Sequence, residues 1–284
     1  MERNLKLANY HTHCELDDGR GPLEEYVLKA LSLRFEAIGF SCHAPNPHDS
    51  TWHLRHDKVE QYLETISRLR FTYGNRIEIY AGMELEYFSE SDVLSGSEYA
   101  DRLDYTIGSF HMLYHPKSGT YISIDNTRED YETLLNDNYS GDITAFVSDY
   151  FAIQETMMRH HKFSFLAHCD LIKKLNKDNR YFDPAEQWYM DASRHLIEVA
   201  ADQHVRIEAN TGGMARQAIR EMYPSASLLR IAAALDVPVV ISSDAHKSAQ
   251  LDYYFSQAID EIIQAGYKQI DLLYHGLWTR QNLL

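Results

Sequence analysis

The sequence predicts an α/β protein built on a parallel sheet, and two observations carry that prediction. Short, apolar, often uninterrupted β-prone runs recur along the chain, as in strands buried on both faces. Amphipathic stretches of helical period lie between them. Seven such strands, with helices between, suggest a barrel.

The first run covers residues 5–10 and is followed by a helical stretch at 22–33, which opens on Pro22, a first-turn proline. A second run at 37–41 leads to a helix at 58–73, and runs at 77–81 and 105–109 follow. Residues 163–167 lead into a helix at 184–201, opened by Pro184 in the same way. Runs at 205–208 and 239–242 precede helices at 225–234 and 249–264. Between residues 112 and 158 the rhythm breaks into turn signals, acidic residues and tyrosines, with a long helix expected over 143–158. That segment reads as an insertion, on the surface or folded over the barrel mouth as a lid. With no repeat, low-complexity tract or Gly/Ser linker, the 284 residues read as one domain spanning 1–284.

The hydrophobic fraction of 44% suits a substantial core. No stretch approaches the roughly 20 apolar residues that span a bilayer, and no charged start leads into an apolar run. A cytoplasmic protein without a membrane partner is expected; the sequence does not set the oligomeric state. Three cysteines (Cys14, Cys42 and Cys169) argue against a disulfide framework and fit a reducing compartment. Each is adjacent to a histidine considered below, so on a strand it should pack behind the face that its neighbour presents. A formal net charge of −15 excludes a nucleic-acid surface, which needs clustered Lys and Arg. An anionic substrate would then need bound metal cations to invert the local field.

Polar residues cluster where the apolar runs stop. The first run ends in His11-Thr12-His13, with Asp18 in the following loop. The second ends in His43, the third in Glu84, the fourth in His111, the fifth in His168 and the last in Asp244-Ala245-His246. Histidines at i and i+2 on an extended segment share a face, and Asp244 and His246 are expected to repeat that geometry. A lone histidine at a strand end is usually a hydrogen-bonded or exposed residue, and His-x-His alone arises often by chance. Six strand ends that each deliver a metal-ligating residue to one face of a parallel fold are harder to dismiss. Mixed imidazole and carboxylate suits Zn, Mn or Fe rather than Mg or Ca. Nine candidate ligands exceed the needs of one ion, so two or three divalent ions are expected, in a site suited to phosphoester hydrolysis. His48, His53, His56, His115, His160 and His161 fall outside the pattern and read as surface or packing residues, although the loop of the first three could line the pocket. After the sixth run, Asn210-Thr211-Gly212-Gly213 could let backbone N–H groups approach an anion. Arg216 could clamp a substrate phosphate or be solvated.

Taken together these motifs resemble the polymerase and histidinol phosphatase (PHP) superfamily, and within it the stand-alone histidinol-phosphatases. The resemblance runs in order through His11-Thr12-His13, Asp18-Gly19, Phe40-Ser41-Cys42-His43-Ala44-Pro45 and Gly82-Met83-Glu84-Leu85-Glu86-Tyr87. It continues through Gly108-Ser109-Phe110-His111, Ala167-His168-Cys169-Asp170, Tyr223-Pro224-Ser225 and Ser243-Asp244-Ala245-His246. It implies a distorted (β/α)7 barrel with metals at the C-terminal ends of the strands, held by His11, His13, Asp18, His43, Glu84, His111, His168, Asp244 and His246. The implied reaction is hydrolysis of L-histidinol phosphate, a step of histidine biosynthesis. Glu84 would bridge two ions, His246 or Asp244 would serve as the acid, and Arg216 would bind substrate. The chain departs from many relatives at Cys42, where an acidic residue is common, and at Gly19, where a histidine is common; Asp18 is read as the substitute ligand. Another small phosphomonoester or a nucleotide is the alternative substrate, and a non-catalytic metal-binding regulator the alternative from another class.

Overall fold

A computed structural model describes residues 5–48 and 51–283. Its strands and helices, in chain order, are β1 (Ala8–Asn9), α1 (Leu23–Ser32), β2 (Ala37–Phe40), α2 (Val59–Tyr73), β3 (Glu78–Phe88), β4 (Val93–Leu94), β5 (Tyr105–Ser109), β6 (Met112–His115) and β7 (Thr120–Ser123). They continue with α3 (Arg128–Tyr139), α4 (Ile143–His160), β8 (Phe165–Leu166), α5 (Gln187–Asp202), β9 (Arg206–Asn210), α6 (Gly212–Ala215), α7 (Ala226–Ala234), β10 (Val239–Ser242), α8 (Phe255–Ala265), β11 (Gln269–Tyr274) and β12 (Leu277–Asn282).

Seven strands pair in parallel in the order β1-β2-β3-β5-β8-β9-β10. The ring closes just beyond the ends of β1 and β10, where Thr12 bridges Ala245 in parallel. His13 N donates to Ala245 O at 2.9 Å and Ala245 N to His11 O at 3.1 Å. The expected seven-stranded α/β barrel is therefore present, and its seam is built from the His-x-His and Asp-x-His motifs themselves.

The helices coat the outside because each carries one apolar stripe. On α1 the buried residues are Leu23, Tyr26, Val27 and Ala30, spaced by three and four. Inside the barrel, Tyr105 fills the space beside two glycines and donates its hydroxyl to Tyr10 O at 2.6 Å and Phe40 O at 3.0 Å. A Cβ on Gly82 would lie 2.4 Å from that ring, so the close approach requires glycine there. The antiparallel pair β11–β12 covers the end of the barrel where the strands begin. Its Asp271 holds Arg206 at 2.7 Å, and Leu273 O accepts from Tyr10 at 2.7 Å. Trp278 packs edge-on against Tyr10 and Phe165. Among the described residues no helix is long and apolar enough to cross a membrane.

Three sequence expectations change. Pro22 is the extended residue before α1 (φ −72°, ψ 152°), and Pro184 sits in a turn ahead of α5; neither occupies the first helical turn. Strand β3 does not stop at residue 81 but runs to Phe88, pairing first with β2 and then with β5. The run looked shorter because Glu84 and Glu86 interrupt its apolar pattern; both are buried and held by histidines. Within residues 112–158, β6 and β7 form a hairpin followed by α3, whereas α4 packs on the barrel core through a stripe that includes Phe146, Tyr150, Phe151 and Met157.

Candidate active site

Parallel pairing brings all the strand C-termini to one rim, and the nine candidate ligands meet there. Glu84, midway along β3, is the hub. Its Oε2 lies 3.0 Å from His11 Nε2, 3.1 Å from His43 Nδ1 and 3.6 Å from His13 Nε2. Its Oε1 lies 3.1 Å from His168 Nε2 and 3.5 Å from His111 Nε2. Asp244 Oδ1 is 3.3 Å from His13 Nε2 and 3.4 Å from His246 Nδ1. At the mouth, Asp18 Oδ2 meets His246 Nε2 at 3.1 Å, and its Oδ1 lies 3.9 Å from His43 Nε2. His11 and His13 are fully buried, whereas the Asp18 and His246 side chains are 31% and 21% exposed.

Behind the rim stands a row of carboxylates that fixes the imidazoles. Glu208 on β9 accepts from His11 Nδ1 at 2.6 Å and from the His168 amide at 2.9 Å. Asp17 accepts from His13 Nδ1 at 2.7 Å and from the His43 amide at 3.0 Å. Glu86 accepts from His111 Nδ1 at 2.7 Å and from its amide at 2.7 Å. Each pairing leaves the other ring nitrogen, Nε2, aimed into the cluster, the arrangement that orients histidine toward a metal.

The charges are strongly coupled. Burial alone would lower the His11 pKa, but Glu208, Glu84 and Asp244 raise it well above its ordinary value. His111 is raised the same way, against burial, by Glu86 and Glu84, to about 9. His43 goes the other way: burial, with His13 and His111 nearby, pushes it down to about 3. Burial would raise Glu84 and Asp244, yet the imidazoles, and for Asp244 first Arg216, hold both well below the carboxylate range.

These residues fit divalent ions. Donor atoms of His11, His13 and Glu84 all lie within 4.8 Å of one another, as do those of His43, Glu84 and His111, and those of His13, Asp18, His43 and His246. Two ligands about 2.1 Å from a shared ion lie at most about 4.2 Å apart, so groups this close need only a small adjustment to hold one. His13 Nε2 is buried among carboxylate oxygens without a well-formed hydrogen bond, the kind of donor atom that a metal ligand bond would satisfy. Cys14, Asp17 and Cys42 form a further close group, but Asp17 is taken up by backbone amides and His13. The two buried sulfurs lie 3.3 Å apart behind the histidines, as packing residues.

The cluster floors a cavity of about 290 Å³. Arg216 lines it, donating to Asp244 Oδ2 at 2.7 Å and Asp244 O at 3.0 Å. Two expectations are corrected here. Asp244 is not extended: its φ is +48°, a left-handed conformation that re-aims the chain after β10, so the Asp-x-His pair does not copy His-x-His. The amides of Thr211 and Gly212 are not free for an anion: Thr211 N donates to Ser242 O at 3.0 Å and Gly212 N to Asn210 Oδ1 at 2.7 Å. A Cβ on Gly212 would lie 2.9 Å from both Asp244 Cβ and Ser243 O, so its role is close packing.

Sequence reasoning missed Asp17, Glu208, Trp52, Asp125 and Lys174. Asp17 stands four residues after His13, and Glu208 is a carboxylate inside an apolar run, the same signal as Glu84. Trp52, Asp125 and Lys174 reach the cavity from irregular segments and left no periodic trace.

Comparison with known proteins agrees with this architecture. A probable histidinol-phosphatase of Deinococcus radiodurans is 27% identical over 268 residues, covering 92% of this chain and 94% of that protein. A histidinol-phosphatase of Bacillus subtilis is 24% identical over 259 residues, covering 84% and 92%. The crystal structure of a histidinol phosphate phosphatase from Lactococcus lactis, complexed with Zn, L-histidinol and phosphate, shares the fold. Its TM-score is 0.73 at 16% identity, covering 97% of this chain and 100% of that one. A putative histidinol phosphatase from Listeria monocytogenes gives 0.77 at 22% identity, covering 88% and 99%. Residues 9–212 match the family profile of the PHP domain, and the chain belongs to that family.

Proposed function

We propose that this chain is a metal-dependent phosphomonoesterase that hydrolyses L-histidinol phosphate to L-histidinol and phosphate in histidine biosynthesis. The observation that carries the chemistry is the meeting of nine imidazole and carboxylate donors, seven of them lining with Arg216 a cavity sized for a small ester. The substrate is supported by full-length relatives named for that activity, and by the neighbour of the same fold that holds Zn, L-histidinol and phosphate together.

His11, His13, Asp18, His43, Glu84, His111, His168, Asp244 and His246 would hold two or three ions of Zn, Mn or Fe, with Glu84 the carboxylate that five of the imidazoles face. When bound, such ions neutralise phosphoryl charge and activate water for attack on phosphorus. The chain's own groups do the rest. Arg216, pre-aimed by Asp244, would bind a phosphoryl oxygen. Asp244 is held ionised by Arg216, His11 and His13, so it is a poor proton donor. His246, at the mouth against Asp18, would protonate the departing alkoxide when its ring is not taken up by an ion. Three free thiols and the biosynthetic role support a cytoplasmic location, and the continuous core supports a single domain.

The test is phosphate release from L-histidinol phosphate beside a panel of phosphomonoesters, using protein stripped of metal and reloaded with Mn, Zn or Fe. A strong metal-dependent preference for histidinol phosphate is expected. Activity spread evenly across the panel would overturn the substrate, and no activity with any metal would overturn the enzyme.

A further inference from the structure

Among the described residues four carboxylates line the cavity, and Asp125 is the one whose hydrogen-bond partners lie outside the nine donors. It stands just past β7, where the hairpin turns toward α3, with its side chain 15% exposed. Ser123 donates to its Oδ1 at 2.9 Å and Lys174 to its Oδ2 at 2.6 Å, so each oxygen keeps acceptor capacity. Burial would raise its pKa, but Lys174 and His111 hold it well below the carboxylate range. Its charge is close enough to raise both His111 and Arg216. A fixed negative charge there opposes entry of a phosphate dianion, and it supports no candidate metal ligand through a hydrogen bond. The cost is offset if the substrate itself carries a cation beside its phosphate.

We propose that Asp125 reads the substrate's ammonium group, so that the cavity selects a phosphomonoester bearing a primary amine over a neutral ester of the same shape. The inference rests on the phosphatase reading above. In L-histidinol phosphate the amine sits on the carbon next to the one bearing the ester oxygen. A phosphate on the donor cluster therefore places the ammonium a few ångströms up the cavity wall. Lys174, 25% exposed on a long flexible stem, can yield its place at Oδ2 to the ligand or share the carboxylate with it.

The metal-loaded full chain is assayed with L-histidinol phosphate and with the same ester carrying hydrogen in place of the amine, and the ratio of the two kcat/KM values is taken. The wild-type ratio should be roughly 10- to 100-fold, the worth of a charge-assisted hydrogen bond. Asp125→Asn should collapse it toward unity. A ratio unchanged in the variant overturns the proposal, since a carboxylate that merely positions Lys174 would slow both esters alike. A wild-type ratio near unity with good turnover overturns it while the phosphatase stands, and hydrolysis of neither ester removes both. A second measurement needs no variant: L-histidinol should inhibit the wild-type chain about tenfold more tightly than its deamino counterpart, and equal inhibition overturns the proposal.

Discussion

Replacing Glu84 with glutamine keeps the side-chain shape and removes the one charge that faces five imidazoles within 3.6 Å. With a ligand bond of about 2.1 Å and an effective dielectric of about 20, a carboxylate and a dication attract by roughly 15 kcal/mol. Desolvation of the two charges offsets most of that. The net loss on removing one partner of a buried charge contact is about 3–5 kcal/mol, or a hundredfold to a few thousandfold in metal retention. The Glu84→Gln chain should therefore emerge from gel filtration in chelator-treated buffer with at least one ion fewer, measured by plasma mass spectrometry. Its phosphate release should fall by about a thousandfold or more. The metal-free variant should keep its circular dichroism spectrum, because the surrounding histidines can shed protons once their counter-charge is gone. A variant that keeps its full metal complement and turns over within about tenfold of wild type would refute the bridging role.

Other perturbations separate the layers of the site. Glu208→Gln leaves every candidate ligand in place but loosens His11, so metal affinity or activity should drop about 10- to 100-fold; no change in either would assign Glu208 to the core alone. Gly19→Ala puts a Cβ 2.3 Å from Cys14 N and 2.4 Å from His13 C, so the loop carrying Asp17 and Asp18 must shift. A loss of about 2 kcal/mol or more by thermal melting is expected, with weaker metal binding. Arg216→Lys keeps the charge but not the two-pronged grip on Asp244, and KM should rise about tenfold. In the metal-free chain the folded His111 pKa of about 9 exceeds its ordinary 6.5. Its stabilising contribution is full below pH 6.5 and is lost as pH rises toward 9, so the metal-free melting temperature should fall across that window; a rise would contradict the His111–Glu86 pairing.

The barrel was legible because it is written in simple periodicities. Runs at 37–41, 105–109 and 239–242 are buried on every residue, and the amphipathic stripe of α1 repeats by three and four. Most of the rim was legible too, because a histidine at the end of an apolar run breaks hydropathy abruptly. The backing carboxylates were harder. Glu86 and Glu208 interrupt apolar strands, and in hydropathy alone such a residue reads as the end of a strand. Their burial makes sense only once the imidazole that each one faces is known, and that partner is distant in sequence: 25 residues for Glu86 and His111, 197 for Glu208 and His11. The left-handed turn at Asp244 was hidden because nothing in the Ser-Asp-Ala-His string requires it. It follows from seating Asp244 between Arg216 and the histidines. The cavity wall was least visible, since Trp52, Asp125 and Lys174 have no period to betray them.

The acidity of the chain and an anionic substrate are reconciled inside this site. Counted as ionised among the described residues, the rim and its backing hold Asp17, Asp18, Glu84, Glu86, Glu208 and Asp244, and the wall adds Asp125, seven negative charges; Arg216 and Lys174 supply two positive ones. The deficit is five. Two dications leave the site one charge short of neutral, and a third makes it net positive by one. The third ion would sit at the most open donors, Asp18, His43 and His246, where ligand exchange with solvent is easiest. Occupancy of that locus therefore sets the sign of the field that an arriving phosphate meets. Phosphate affinity should rise steeply as the last metal equivalent is added, while the first equivalents, held on buried Glu84, His11 and His13, change protein stability more than they change anion binding.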